Sequence, residues 1–185
     1  MNRRNVLDIN IKLKKEIPIS LFSFLFSEYI QYIMSKKGET GKEYDIEEQL
    51  SCLGYPIGEK LLEITTLREK GYKKETKIVN ILQFLHNNAW KNLFGKQADG
   101  IQRSTDDIYE YRLIENKPVV NRFISEKGSS VNCSSFIAGI IEGFLNSAGF
   151  LCKVSAYFLD NEQTPKTFYI IKFDKSIVDK DDQTV

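Results

Sequence analysis

Apolar residues recur along the chain at two periods, and the changes between them outline its elements. Over residues 21–37 they crowd nearly every side of a helical projection, with Phe22, Phe24, Phe26, Tyr29, Tyr32 and Ile33 the bulkiest. The pattern predicts a helix capped by Ser20 and stopped at Gly38, with Lys36 and Lys37 complementing the dipole. Such a helix calls for cover on both faces, more than one small domain supplies, so a permanent partner is expected over the remainder. Asp45 and Glu48 form a capping-box-like pair ahead of a second helix. There Ile46, Leu50, Leu53, Ile57, Leu61 and Ile64 hold one stripe at three- and four-residue steps. The stripe runs through Gly54, Pro56 and Gly58, which predicts a kink and not an end. A third helix follows a basic turn at Lys73, Lys74 and Lys77. It carries Ile78, Ile81, Leu82, Leu85, Ala89, Leu93 and Phe94 on one side and closes at Gly95.

Strand signals come next. Ile108, Tyr109, Tyr111, Leu113 and Ile114 read as a short strand, and a turn at 116–118 leads to a weaker strand over 119–124. Between Ser130 and Gly149 the spacing of Phe136, Ile137, Ile140, Ile141, Phe144, Leu145 and Ala148 gives the clearest helix, capped by Asn132 or Ser130. Residues 151–159 and 167–173 then alternate around a turn at 161–165, predicting a terminal hairpin. The order of elements predicts an α+β fold, with helices covering one face of an antiparallel sheet. One domain is expected over 19–178, between a partly ordered basic arm (1–18) and a C-terminal tail (179–185).

A length of 185 residues suits a single hydrophobic core, and 42% hydrophobic residues with 12% aromatic can offset the ordering entropy. With 26 Lys and Arg against 25 Asp and Glu, the net charge of +1 provides no field for nucleic acid, and none is expected as partner. Cys52, Cys133 and Cys152 are odd in number and far apart, which argues for reduced thiols and against a disulfide scaffold or a structural metal site. The run 17–34 contains Pro18, Glu28 and Gln31 and is read as neither signal peptide nor membrane span.

Candidate chemistry is sparse. No phosphate-binding glycine loop occurs, so no nucleotide or other cofactor is expected. Cys133 near a helix start and His86, the one histidine, are the components of a nucleophilic pair, but a packed cysteine and a packed or solvated histidine explain both. No catalytic residue is therefore assigned. Gly139 and Gly143, one turn apart, read as a device for packing a helix on a sheet, and Trp90 reads as core. Lys73, Lys74 and Lys77, with Arg3, Arg4, Lys12, Lys14 and Lys15, read as solvated charge or, alternatively, as a peripheral contact with anionic membrane.

Three stretches carry a resemblance: VNCSSFIAGIIEGFLNSAGF at 131–150, REKGYKKET at 68–76 and WKNLFGKQAD at 90–99. Together they resemble the small subunits of the trafficking protein particle (TRAPP) complex, and LGYPIG at 53–58 is similar to a segment that the wider family shares. The resemblance covers about residues 19–178. It implies helices on one side of a twisted antiparallel sheet and dimerisation with a related small subunit through the first two helices. On that reading Phe22, Phe26, Tyr29, Ile33, Ile57 and Leu61 contribute to the subunit interface. It also implies a scaffold without a catalytic site of its own, in a complex that tethers vesicles between endoplasmic reticulum and Golgi. The assembled complex is peripheral to those membranes and promotes nucleotide exchange on a Rab-type GTPase. One relative carries an acyl chain on a cysteine at the start of the third helix; the matching stretch here, 71–76, has none. The competing reading is a lipid- or small-ligand-binding module with a cavity between helices and sheet.

Overall fold

Pro18 sets the start of the first helix: Leu21 N–H donates to its carbonyl at 3.0 Å, and α1 (Ile19–Thr40) follows. Ser20 thus lies inside the first turn instead of capping it, and the helix runs through Gly38, a single glycine being only about 1 kcal/mol worse than alanine there. The computed structural model describes residues 17–40, 45–69, 74–122, 131–159 and 166–182. Asp45 caps α2 (Ile46–Arg68): its Oδ1 accepts from Glu47 N at 3.0 Å and from Glu48 N at 3.4 Å. Pro56 is held inside that helix without ending it. The third predicted helix is built in three pieces, α3 (Ile78–Phe84), a π-helical turn (Leu85–Ala89) and α4 (Trp90–Phe94). Gly95, at φ 75°, ends it in the left-handed region, with its N–H on Lys91 O at 3.0 Å.

The sheet is four-stranded and antiparallel in the order β1-β2-β4-β3, from β1 (Gly100–Arg103), β2 (Glu110–Glu115), β3 (Cys152–Leu159) and β4 (Lys166–Phe173). Ile114 faces Phe168 across β2 and β4, and Tyr157 faces Phe168 across β3 and β4. Burial alternates strictly along β2 and almost so along β4, so one face is covered by helices and the other is open. The α+β class follows as predicted. Elsewhere the structure differs from the sequence reading. Residues 119–122 form a 3-10 turn (Val119–Arg122) and not a strand, because Asn121 N–H folds back onto Pro118 O at 3.2 Å. β1 was not foreseen. Beyond β4 the chain forms a further helix, α6 (Lys175–Asp182); Asp174 starts it by accepting from Ser176 N–H at 2.8 Å. Residues 123–124, Ser130 and the turn at 161–165 lie outside the described residues.

Between Asn132 and Gly149 the chain builds α5 (Ser135–Ser147), buried on nearly all sides. Asn132 Oδ1 accepts from Ser134 N–H at 3.1 Å at its entry, and Gly149 at φ 95° ends it. Its glycines pack against α2, not against the sheet. A Cβ on Gly139 would run into the carbonyl of Ser51 and lie 2.7 Å from its carbon; one on Gly143 would run into the carbonyl of Tyr55. Gly54 and Gly58 on α2 are equally filled by the α5 backbone, at Phe136, Ile140 and Phe144. Two glycine pairs thus let the helix backbones touch.

Candidate interaction surface

α1 divides its apolar residues between two sides. Phe26, Ile30 and Ile33 are buried, and Phe22 and Tyr29 pack partly against the same core. Phe22 stacks on Phe26 at 5.4 Å between centroids, and Phe26 meets Phe136 at the start of α5 at 5.2 Å. The opposite side keeps Leu21 (51% exposed), Phe24 (74%), Leu25 (65%) and Tyr32 (54%) in solvent. These four fall at steps of three, one and seven residues, which a 3.6-residue period gathers on one face. On α2, Ile57, Ile64 and Leu67 are also exposed, at steps of seven and three, with the solvated Lys60–Glu63 pair at 3.1 Å beside them. Large apolar side chains clustered on one face mark a contact surface, whereas scattered ones need no explanation.

The six interface candidates from the sequence therefore sit in different settings. Phe26, Ile33 and Leu61 are in the core of this chain, Phe22 and Tyr29 are half-buried at its margin, and Ile57 is exposed. Sequence reasoning missed Leu21, Leu25 and Leu67 as outward residues; an all-round apolar helix signals that some side is left over, not which one.

Elsewhere the structure settles side chains singled out earlier. Trp90 is core: its Nε1–H donates to Glu115 Oε2 at 3.0 Å, and its ring meets Tyr169 edge-on at 5.9 Å. Glu115 is also paired with Lys96. His86, in the π-helical turn, shares a 2.8 Å hydrogen bond between Nδ1 and Asn87 Oδ1. Cys133 is buried beside the entry to α5. Burial, then the nearby Glu142 carboxylate, pushes the Cys152 thiol up, so it stays protonated. No two of the three cysteines are bonded to each other. Lys74 and Lys77 precede α3; Lys73 lies outside the described residues. Among the described residues no helix is long and apolar enough to cross a membrane.

Polar side chains hold the frame behind this surface. Glu47 on α2 accepts from Asn132 N–H at 3.1 Å, tying α2 to the lead-in of the buried α5 at one end. Glu142, buried in α5, accepts from Val154 N–H at 3.0 Å and from Lys153 Nζ at 2.8 Å, and its carboxylate raises the Lys153 ammonium pKa. Glu142 was legible in principle, since a lone carboxylate in an apolar helix must find partners.

Residues 22–174 match the family described as Transport protein particle (TRAPP) component. Trafficking protein particle complex subunit 5 of Dictyostelium discoideum is 44% identical over 181 residues, covering 95% of this chain and 96% of its own. Subunit 5 of Homo sapiens is 35% identical over 170 residues, covering 91% and 86%. In structure, trafficking protein particle complex subunit 3 from Naegleria fowleri, solved covalently bound to palmitic acid, superposes with a TM-score of 0.64 at 18% identity, covering 85% of this chain and 97% of its own.

Proposed function

The chain belongs to the TRAPP component family, and from that premise we propose that it is a non-catalytic scaffold subunit that docks a related small subunit through the outer faces of α1 and α2. The observation that carries this reading is the exposed apolar row Leu21, Phe24, Leu25 and Tyr32 on a helix whose other side is already packed. Burying one such side chain contributes about 1.5–3 kcal/mol, so a few of them supply a stable contact once the cost of association is met. On α2 Ile57 is exposed as well, and on α1 Phe22 and Tyr29 lie at the margin of the row. Phe26, Ile33 and Leu61 are buried in the core of this chain and support the surface from within.

In this role the chain works with other TRAPP subunits in vesicle traffic between endoplasmic reticulum and Golgi, peripheral to those membranes. It supports nucleotide exchange on a Rab-type GTPase by holding neighbouring subunits in place. Co-expression with a related small subunit tests the reading: a stoichiometric heteromer that survives gel filtration is expected, and a chain that elutes alone would refute it. Native mass spectrometry of the purified chain separates the ligand-binding alternative, which requires a co-purifying small molecule.

A further inference from the structure

The face of the sheet turned away from the helices carries a patch of large apolar side chains. Alternation assigns Ile114, Tyr157, Leu159, Phe168 and Ile170 to it, since Leu113, Thr167, Tyr169 and Ile171 are buried on the other face. The register sets Ile114, Phe168 and Tyr157 side by side across β2, β4 and β3, with Ile170 one row further along and Leu159 one row back. Gly100 faces Ile114 from β1 and adds no side chain there. Tyr157 is 55% exposed and Leu159 45%, and Ile114, Phe168 and Ile170 are half-buried. Clustering of this kind on a sheet whose other face is already packed marks a contact surface.

The charges around the patch are unequal in sign. Arg112, Lys166 and Lys172 share this face with a single carboxylate, Glu110. Lys153 leaves the face, reaching Glu142 on α5 at 2.8 Å. Arg112 takes Glu110 at 2.9 Å, and Lys172 draws on Asp107, from the loop before β2, at 3.0 Å. Pairs at the surface contribute under about 1 kcal/mol, so both yield to a competing carboxylate. Lys166 has no ion pair among the described residues. Positive charge thus stands at both ends of the patch, Lys166 at one and Arg112 with Lys172 at the other. Strands lie about 4.8 Å apart, so the row from Ile114 to Tyr157 spans about 10 Å, and the step from Phe168 to Ile170 adds about 7 Å. Two turns of a helix present an apolar stripe of that size, and a helix layer is the usual cover for an open sheet face.

We propose that this face is a second docking site, which takes an amphipathic helix of a partner protein with Asp and Glu flanking its apolar stripe. Those carboxylates meet Lys166 at one end and Arg112 and Lys172 at the other. The site lies on the opposite side of the sheet from α1, which packs on α5 through Phe26 and Phe136, so the chain holds two neighbours at once.

NMR titration of the full-length chain with a synthetic peptide tests this. The peptide has about 18 residues of Leu, Ala and Glu, long enough to form a helix, with Leu in one stripe and Glu on both flanks. Amide resonances should shift at Tyr157, Phe168 and Ile170 and stay in place at Leu21 and Phe24. The same peptide with Lys replacing Glu should bind at least about tenfold more weakly. Tyr157→Asp, at an exposed position, should keep the fold and lose at least about tenfold in affinity for the Glu peptide. Lys166→Glu should lose at least about threefold. Absence of shifts on the sheet face, equal binding of the two peptides, or equal binding by the Tyr157→Asp and Lys166→Glu variants would overturn the proposal. Shifts at the same residues on diluting the chain alone would overturn it in favour of a second copy. Shifts caused by vesicles of phosphatidylcholine and phosphatidylserine, and not by the peptide, would overturn it in favour of a membrane surface.

Discussion

Replacing Gly139 by alanine asks whether α2 and α5 cross in backbone contact. On an uncrowded helix face, glycine to alanine is stabilising by up to about 1 kcal/mol. Here the new methyl would overlap the Ser51 carbonyl, at 2.7 Å from its carbon and 2.8 Å from its Cα. These are backbone atoms, so no rotamer change relieves the overlap, and the two helices must move apart. Overpacking of this kind costs about 1–3 kcal/mol. The neighbouring contacts of Gly54, Gly58 and Gly143 loosen with it, which puts the expected net loss near the upper end of that range even after the propensity gain. For a chain of this length, 1 kcal/mol moves the melting temperature by about 2–4 °C, so a drop of about 4–10 °C is expected in thermal denaturation followed by circular dichroism. An unchanged or raised melting temperature would refute the close crossing. Gly143→Ala should behave the same way, since its methyl would meet Tyr55.

Three further outcomes follow from the buried polar groups and one surface carboxylate. Glu142→Ala leaves Val154 N–H without its acceptor and should cost about 1–3 kcal/mol in urea denaturation, whereas Lys153→Ala, at an exposed ammonium, should cost under about 1 kcal/mol. Trp90→Phe removes the donor to buried Glu115 and should destabilise by about 1.5–3 kcal/mol in the same assay. Tyr109 N–H, then Lys172, hold the Asp107 carboxyl below the usual aspartate range near about 3.9. With its folded value depressed, its contribution to stability is complete above about pH 4 and is lost as pH falls through the folded value. Carbon-detected NMR titration should place the Asp107 midpoint below that of an unstructured aspartate.

Features governed by local backbone chemistry were legible in the sequence. Asp45 as a helix cap and Gly95 and Gly149 as helix ends follow from what those side chains, or their absence, allow within a few residues. The class of fold followed from the order of elements, and β2 as a strand and the alternation of β4 were legible from their residues. Features set by distant neighbours were not. β1 is four residues long and includes Gly, Gln and Arg, too short and polar to show a period. The 119–122 segment is rich in β-branched valine yet follows a proline whose carbonyl closes a turn. Gly139 and Gly143 show in sequence that something approaches closely; only the fold shows that it is α2. The side of α1 that remains outside depends on where Phe136 and the core lie, so Phe24 and Leu25 could not be told from Phe26 and Ile33 by pattern.

The scaffold assignment is tested most directly by calorimetric titration of a related small subunit with this chain and with its Phe24→Asp variant. Phe24 is exposed, so the variant should keep its fold and melting temperature. An unpaired charge buried in the contact costs about 3–5 kcal/mol, so the affinity should fall by at least a hundredfold. Equal affinity of the two proteins would contradict docking through the outer face of α1.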